Sequence, residues 1–383
     1  MWEKIQKDFK INENFIWLNN CGISVMNRAV EDALQGYIHE FAASSVKNQN
    51  YGPGKLRSQI TSILASLFKV QENEFALVQN TAEALNYIAY GLDYKAGDEI
   101  LLLEKEYPSN VYPWRSQEKR HGIKVKFIPD SRTEQEFLTA LNSSITEHTK
   151  VISLSAVHWL SGMRYPLHEV GKICKEKNIL FCLDAAQGAG HVDIFPAEMN
   201  ISFMAFSAWK WLMGPLGMGV LYIDESAMHH LQPNLLSTGS VVNDSEYLPY
   251  RETYKPGAAR YEISTSNYLA WVYFAAILQY LQKIEFPIVQ SRIYTLASFL
   301  HDQLASRNFT GALPNYGATG ILNITHPEVD SQKLWLELNK ENIVCALRGD
   351  GVRFAPHIFN SENQLEQVAT KIDSLMHSGA VSK

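Results

Sequence analysis

The stretch 201–222, ISFMAFSAWKWLMGPLGMGVLY, holds a single lysine, Lys210, between Trp209 and Trp211. Burying an ammonium in such a frame costs several kcal/mol unless it is neutralised. A lysine kept there suits imine formation with a carbonyl group; the plainer alternative is a lysine snorkelling from a surface turn. Upstream, Asp184 ends the apolar run 179–183 and is followed by Ala-Ala-Gln187-Gly-Ala-Gly190. A carboxylate at a strand end can keep a pyridine nitrogen protonated, because an adjacent negative charge favours the cation. It can also cap a helix. A metal site is the weaker reading, since His191 and Asp193 have no clear third ligand.

Three more stretches carry candidate chemistry. Gln79-Asn80-Thr81-Ala82-Glu83 opens a helical pattern, where free backbone N–H groups and the Thr81 hydroxyl can hold a phosphate or serve as an ordinary N-cap. Tyr107 stands where an apolar run gives way to a helix, able to stack on a flat ring or simply to pack. Gly349-Asp350-Gly351-Val352-Arg353 sets an arginine after a glycine-rich turn, a fork suited to a substrate carboxylate or to a structural salt bridge.

These residues need elements to position them. Short apolar runs (FALVQ, EILLL, KVKFI, VISLS, ILFCL, ISFMAF) alternate with helical patterns near 81–91, 110–121, 133–142 and 166–177. Alternation of this kind predicts an α/β fold with a mostly parallel sheet covered by helices on both faces. Ligands of such sheets sit beyond the carboxyl ends of the strands. Helices are expected near 27–42, over 56–67, at 266–283, 287–306 and 331–339, and at the end of the chain. The division is a large domain over 16–280 and a smaller C-terminal α/β domain over 281–383, completed by residues 1–15. The polar segment around Asn50 and Tyr51 reads as a functional or interface loop.

Composition narrows the classes. The 383 residues are 46% hydrophobic and 19% charged, with a net charge of -6 and no basic block, which argues against nucleic acid. The first ten residues lack the apolar core of a signal peptide and no run is long enough to span a bilayer, so the expectation is a cytoplasmic protein without a membrane partner. Cys21, Cys174, Cys182 and Cys345 show no metal or CxxC spacing and read as reduced thiols.

Taken in order, Asp184-Ala-Ala-Gln187, Phe206-Ser-Ala-Trp-Lys210 with its Gly-Pro-Leu-Gly-Met-Gly tail, Asn80-Thr-Ala-Glu-Ala84, Tyr107-Pro-Ser-Asn110, Arg260-Tyr-Glu262-Ile-Ser-Thr265 and Arg353-Phe-Ala-Pro-His357 resemble the class V aminotransferase family of fold-type I pyridoxal-phosphate enzymes. That group includes cysteine desulfurases, selenocysteine lyases and isopenicillin-N-epimerase-like proteins. The resemblance implies pyridoxal 5'-phosphate bound covalently to Lys210, with Asp184 on the ring nitrogen, Gln187 at the ring oxygen and Tyr107 stacked on the ring. It further implies Thr81, the Ala82 backbone and Ser207 on the phosphate, and a homodimer in which Thr265 reaches the neighbouring site. Arg353, His158 and Asn20 would bind an amino-acid substrate.

Some positions depart from the desulfurase pattern. Trp209 and Tyr107 stand where many desulfurases carry histidine, and His158 stands where Asn or Gln is usual. Cys345 falls in an apolar run rather than on a long loop. The leading expectation is therefore an aminotransferase acting on a small amino acid. The alternatives are a cysteine or selenocysteine lyase or desulfurase, or an epimerase; outside these stands a non-catalytic binding protein of the same fold.

Overall fold

A computed structural model describes residues 1–47, 51–243, 245–250, 252–311 and 319–383. The chain opens with α1 (Trp2–Lys7), β1 (Ile16–Trp17), α2 (Arg28–Ser44) and α3 (Pro53–Phe68). Strands and helices then alternate: β2 (Phe75–Val78), α4 (Thr81–Gly91), β3 (Glu99–Leu103), α5 (Tyr112–His121), β4 (Lys124–Ile128), α6 (Glu134–Ser144), β5 (Thr149–Ser155), α7 (Leu167–Glu176) and β6 (Leu180–Asp184). Strands β7 (Phe203–Ser207) and β8 (Gly219–Ile223) follow, flanking the Lys210 turn. The C-terminal part holds α8 (Tyr268–Ile284), α9 (Phe286–Ala305), β9 (Thr310–Gly311), β10 (Leu322–Thr325), α10 (Ser331–Lys340), β11 (Ile343–Val344), β12 (Ala346–Arg348), β13 (Gly351–Phe354) and α11 (Glu362–His377).

The seven-stranded sheet has the order β2-β8-β7-β6-β5-β3-β4. Only β8 runs against the rest, pairing antiparallel with both β2 and β7. Its reversal leaves β2 pointing the same way as β7, so β2, β3, β5, β6 and β7 all end on one edge. Successive residues face opposite sides of the sheet. Leu101, Leu103, Phe181, Leu183 and Phe206 enter one core, while Ile100, Leu102, Cys182, Phe203 and Ala205 enter the other. Covering on both faces explains why these strands read as unbroken apolar runs.

A four-stranded antiparallel sheet, β12-β13-β10-β9, forms the C-terminal unit with its own core. The N-terminal segment joins that unit through β1, parallel to β11, and through Leu18 in its core. The contribution of the chain's start thus extends past residue 15, because the backbone N–H groups of Ile16 and Leu18 find carbonyl partners only along 342–344. Helix α9 serves both units: Val289 and Ile293 pack into the large core, Leu296 and Leu300 into the smaller one. Asn50 lies outside the described residues, and Tyr51 packs edge-on against Tyr37 of α2. Among the described residues no helix is long and apolar enough to cross a membrane, and no group of three or more His, Cys, Asp or Glu could hold a metal ion.

Candidate active site

A cavity of about 380 Å³ opens at the shared strand edge. It is lined by Thr81, Ala82, Tyr107, Asp184, Gln187, Ser207 and Lys210 from the large unit and by Arg348 and Arg353 from the small one. The turn after β2 supplies one end. Asn80 caps α4 by accepting from the Glu83 N–H at 2.8 Å, and this fixes the first turn of the helix. Gly219 of β8 allows the close approach, since a Cβ there would lie 2.7 Å from Asn80 Cα. The Thr81 and Ser207 hydroxyls meet at 2.6 Å, and the Thr81 N–H donates to Ser207 Oγ at 3.2 Å. Two hydroxyls at a helix N-terminus form a donor set for an anion. Asn80 is therefore the cap of this stretch, and Thr81 lines the cavity.

Asp184 ends β6 and is buried, with Oδ1 accepting from the Ala186 N–H at 2.9 Å. Burial raises its pKa, against the lowering pull of that N–H and of Lys210. Burial pushes the Lys210 amine down; Asp184 and Cys21 oppose the shift and Arg353 adds to it. The lysine thus borders the cavity rather than snorkelling from an outer turn. Its Nζ stands 5.8 Å from the centroid of the half-exposed Tyr107 ring, which meets Trp159 edge-on at 5.6 Å. Behind Tyr107, Glu106 is buried and accepts from the Ser155 N–H and hydroxyl; burial, and then the Asp184 charge, push its carboxyl up to about 7.

Arg353 on β13 is buried and donates from Nη1 to the Trp159 carbonyl at 2.6 Å, while its Nε has no hydrogen-bond partner. Among the described residues it has no carboxylate partner, so the structural salt bridge weighed from the sequence is absent. A guanidinium with an unpaired N–H group can pair with a carboxylate.

Gln187 is held at both ends, donating to the Cys21 carbonyl at 2.9 Å and accepting from Trp211 Nε1 at 2.8 Å. Its Nε2 keeps a second N–H. Trp211 lies between two histidines, stacked on His191 at 3.8 Å and more loosely on His357 at 6.0 Å. His191 Nε2 accepts from the Gly320 N–H, which leaves Nδ1 protonated toward the Gln187 carbonyl at 2.8 Å. This buried joint fixes the residues on either side of Lys210.

Three expected positions fall elsewhere. His158 has both ring nitrogens engaged, Nε2 with the Lys105 carbonyl at 2.9 Å and Nδ1 with Ser161, and it is Trp159 that lines the cavity. Asn20 bonds the Ala355 carbonyl at 2.7 Å and accepts from Ser24, joining the two units, while Cys21 and Gly22 line the cavity. Thr265 is exposed in a neighbouring depression with Gln79 and Glu83. Cys345 is buried in the small core near Asn339, its thiol pushed up to about 12 by burial. The residues missed from the sequence are chiefly Cys21, Trp159 and Arg348. Only Arg348 left a signal, because in a hairpin closed by 349–350 it falls on the same face as Arg353.

Comparison with known proteins shows the family and the fold. The family model described as Aminotransferase class-V matches residues 16–368, so the chain belongs to that family, whose cofactor is pyridoxal phosphate. A relative from Pyrococcus abyssi named probable cysteine desulfurase is 26% identical, covering 98% of both chains. One from Mycoplasma genitalium with the same name is 28% identical over 88% of this chain and 84% of its own. Among solved structures, the apo cysteine desulfurase from Thermococcus onnurineus has a TM-score of 0.87 at 24% identity, covering 98% of each chain. A complex of the cystine C–S lyase C-DES with cysteine persulfide has a TM-score of 0.85 at 22% identity, covering 94% of this chain and 97% of the other. Both share the fold-type I architecture. The residues fit the cofactor: Thr81, Ala82 and Ser207 at an anion-binding helix end, the buried Asp184 carboxylate and the Lys210 amine surround one cavity.

Proposed function

We propose that this protein is a pyridoxal-phosphate-dependent carbon–sulfur lyase acting on cysteine or a cysteine derivative. What supports the reading is the near full-length kinship with proteins named cysteine desulfurases, joined to a cavity that gathers Lys210, Asp184 and Arg353. This reading replaces the aminotransferase expected first from the sequence. That expectation rested on the lack of a desulfurase-like cysteine loop, which bears on the sulfur acceptor and not on cleavage of the C–S bond.

Bound pyridoxal phosphate supplies an aldehyde that condenses with amines and a ring that draws electrons from Cα. Thr81, Ala82 and Ser207 hold its phosphate, and Asp184 keeps a proton on its ring nitrogen. Arg353 grips the substrate carboxylate in a bidentate fork and so fixes the Cα–H bond near Lys210. Lys210 Nζ, with its affinity for protons lowered by burial, takes the Cα proton. As the Cβ–S bond breaks, its electron pair leaves with sulfur, and Lys210 can return the proton to it. Tyr107 and Trp159, which meet edge-on, line the cavity beside the reacting atoms. A homodimer, with Thr265 facing the partner's cofactor phosphate, belongs to the same proposal.

Incubation of holoprotein with L-cysteine and L-cystine tests the reading. Release of sulfide from L-cysteine, or of cysteine persulfide from L-cystine, with pyruvate and ammonia is expected, abolished in Lys210→Ala and unchanged in Cys345→Ala. Conversion of the cofactor to its amine form, with no sulfur released from any substrate, would return the chain to the aminotransferases.

A further inference from the structure

The side-chain amide of Gln187 has its direction fixed from both ends. The Cys21 carbonyl can only accept a hydrogen bond, so the Gln187 atom 2.9 Å from it is Nε2. The Trp211 indole N–H can only donate, so the Gln187 atom 2.8 Å from it is Oε1. Turning the amide over would set donor against donor and acceptor against acceptor, in a buried place where water cannot compensate. The Trp211 ring cannot follow such a turn. It lies on His191 at 3.8 Å with the planes 13° apart, a Cβ on Gly320 would stand 2.8 Å from it, and the Trp211 carbonyl accepts from His357 Nε2 at 3.1 Å. His191 in turn donates from Nδ1 to the Gln187 carbonyl at 2.8 Å. Main chain and side chain of Gln187 thus lean on one stacked pair.

One hydrogen of Nε2 is left over, and among the described residues it has no protein acceptor. Gln187 lines the cavity with Asp184 and Lys210. In pyridoxal phosphate the ring oxygen lies on the edge away from the phosphate arm, between the ring nitrogen and the aldehyde carbon. With the nitrogen at Asp184, the aldehyde carbon at Lys210 and the phosphate at Thr81 and Ser207, that edge is the one left for Gln187. We propose that Trp211 is a positioning residue: by holding Oε1, its indole N–H keeps Gln187 turned as a hydrogen-bond donor to the ring oxygen of the bound cofactor. This role is the same whichever substrate bond breaks. A ring oxygen that accepts from Gln187 is a weaker partner for the proton on the neighbouring lysine-bound nitrogen, so that proton leaves at lower pH. With Oε1 released, the amide swings, the donor is lost for part of the time, and the proton is held to higher pH.

The test is a pH titration of the visible absorbance of the lysine-bound cofactor in holoprotein, with the dissociation constant of pyridoxal phosphate measured by equilibrium dialysis. Asp184, Cys21 and Arg353, the groups whose charges act on Lys210, are the same in every variant. Gln187→Met removes the donor and sets the full upward shift of the titration midpoint. Trp211→Phe should raise the midpoint by at least about half a pH unit and weaken cofactor binding at least about threefold. In the double variant, Trp211→Phe should add less than about 0.2 of a pH unit to the Gln187→Met shift, because the two residues act as one unit. Should the smaller ring disturb folding, benzothienylalanine placed at position 211 keeps the outline of the indole, lacks only its N–H, and should move the midpoint in the same way. A midpoint that stays put in Gln187→Met or in both position-211 variants overturns the proposal. So does a shift of equal size with and without Gln187, which would make Trp211 a packing residue only. Sulfur release, present or absent, bears on the C–S lyase reading and leaves this outcome unchanged.

Discussion

Lys210 and Trp211 are adjacent in the chain but lie in opposite environments. On the Trp211 side, His191, Gln187, Gly320 and His357 close a buried joint of hydrogen bonds and stacked rings. A Cβ on Gly320 would fall 2.8 Å from the Trp211 ring, so the packing there leaves no room for addition. On the Lys210 side, Arg348 and Arg353 line the cavity with no carboxylate partner among the described residues. Satisfied polar groups hold a shape, whereas under-satisfied ones are kept that way for a ligand. The joint supplies rigidity and the cavity spends it, so variants on the two sides should fail in different ways.

The sharpest separation comes from the neighbours themselves. Lys210→Ala should cut turnover by about 10²–10⁴-fold or more and remove the visible absorbance of the lysine-bound cofactor. Its stability, measured by urea unfolding of the cofactor-free protein, should change by no more than about 1 kcal/mol. Trp211→Ala should instead cost about 3–5 kcal/mol of stability, because it empties a fully buried site and leaves Gln187 Oε1 without a donor. A Lys210 variant that unfolds as readily as the Trp211 variant would break the contrast.

Acid should attack the joint before the cavity. Burial holds His191 down to about 3 and His357 to about 4, below the ordinary value of 6.5. The unfolded chain therefore binds more protons at these sites between the folded and unfolded values. Their contribution is fully present above pH 6.5 and is lost as pH falls toward 4 and then 3, by a few kcal/mol in all. Thermal unfolding across pH 4–7 measures this, and His357→Asn should flatten the slope. An unchanged slope in that variant would place the acid sensitivity elsewhere.

The smallest effects separate two thiols. Cys345→Ala should leave kcat/KM within about twofold and cost roughly 1 kcal/mol or less by trimming the small core. Cys21 lines the cavity, and burial raises its thiol pKa despite the nearby Arg353, Lys210 and Arg348 charges. Cys21→Ala should raise KM with little change in stability. Equal kinetic responses from the two variants would remove Cys21 from the substrate region.

Much of the fold was legible because its signals are local. The runs that became the strands of the large sheet are mainly apolar, with the lysine-bearing KVKFI of β4 at its edge, and the caps at Asn80, Thr133, Asn267 and Ser361 mark helix starts in residue types that accept backbone N–H groups. Lys210, Asp184 and Thr81 stood out the same way, each beside the carboxyl end of a strand, and the structure gathers them with Ser207 around one cavity. The misreadings came in irregular turns, where no period tells which side chain points inward. Asn20 stood in for Cys21, and His158 for Trp159, each one residue from the lining position. A one-residue step reverses the side-chain direction, and only packing against the other unit decides it.

The sequence by itself determined the order of elements, the cofactor class and the position of Lys210 and Asp184 beside strand ends, because strand runs, caps and turn residues act through near neighbours. Tertiary structure alone decided that β1 completes the C-terminal unit, that Cys345 is sealed in a core while Cys21 borders the cavity, and that Arg348 joins Arg353 beside Lys210. Those outcomes depend on contacts between segments more than a hundred residues apart, such as 16–17 with 343–344 and Trp159 with Arg353, and the cost of leaving backbone groups and charges unpaired selects them only once the chain has closed on itself.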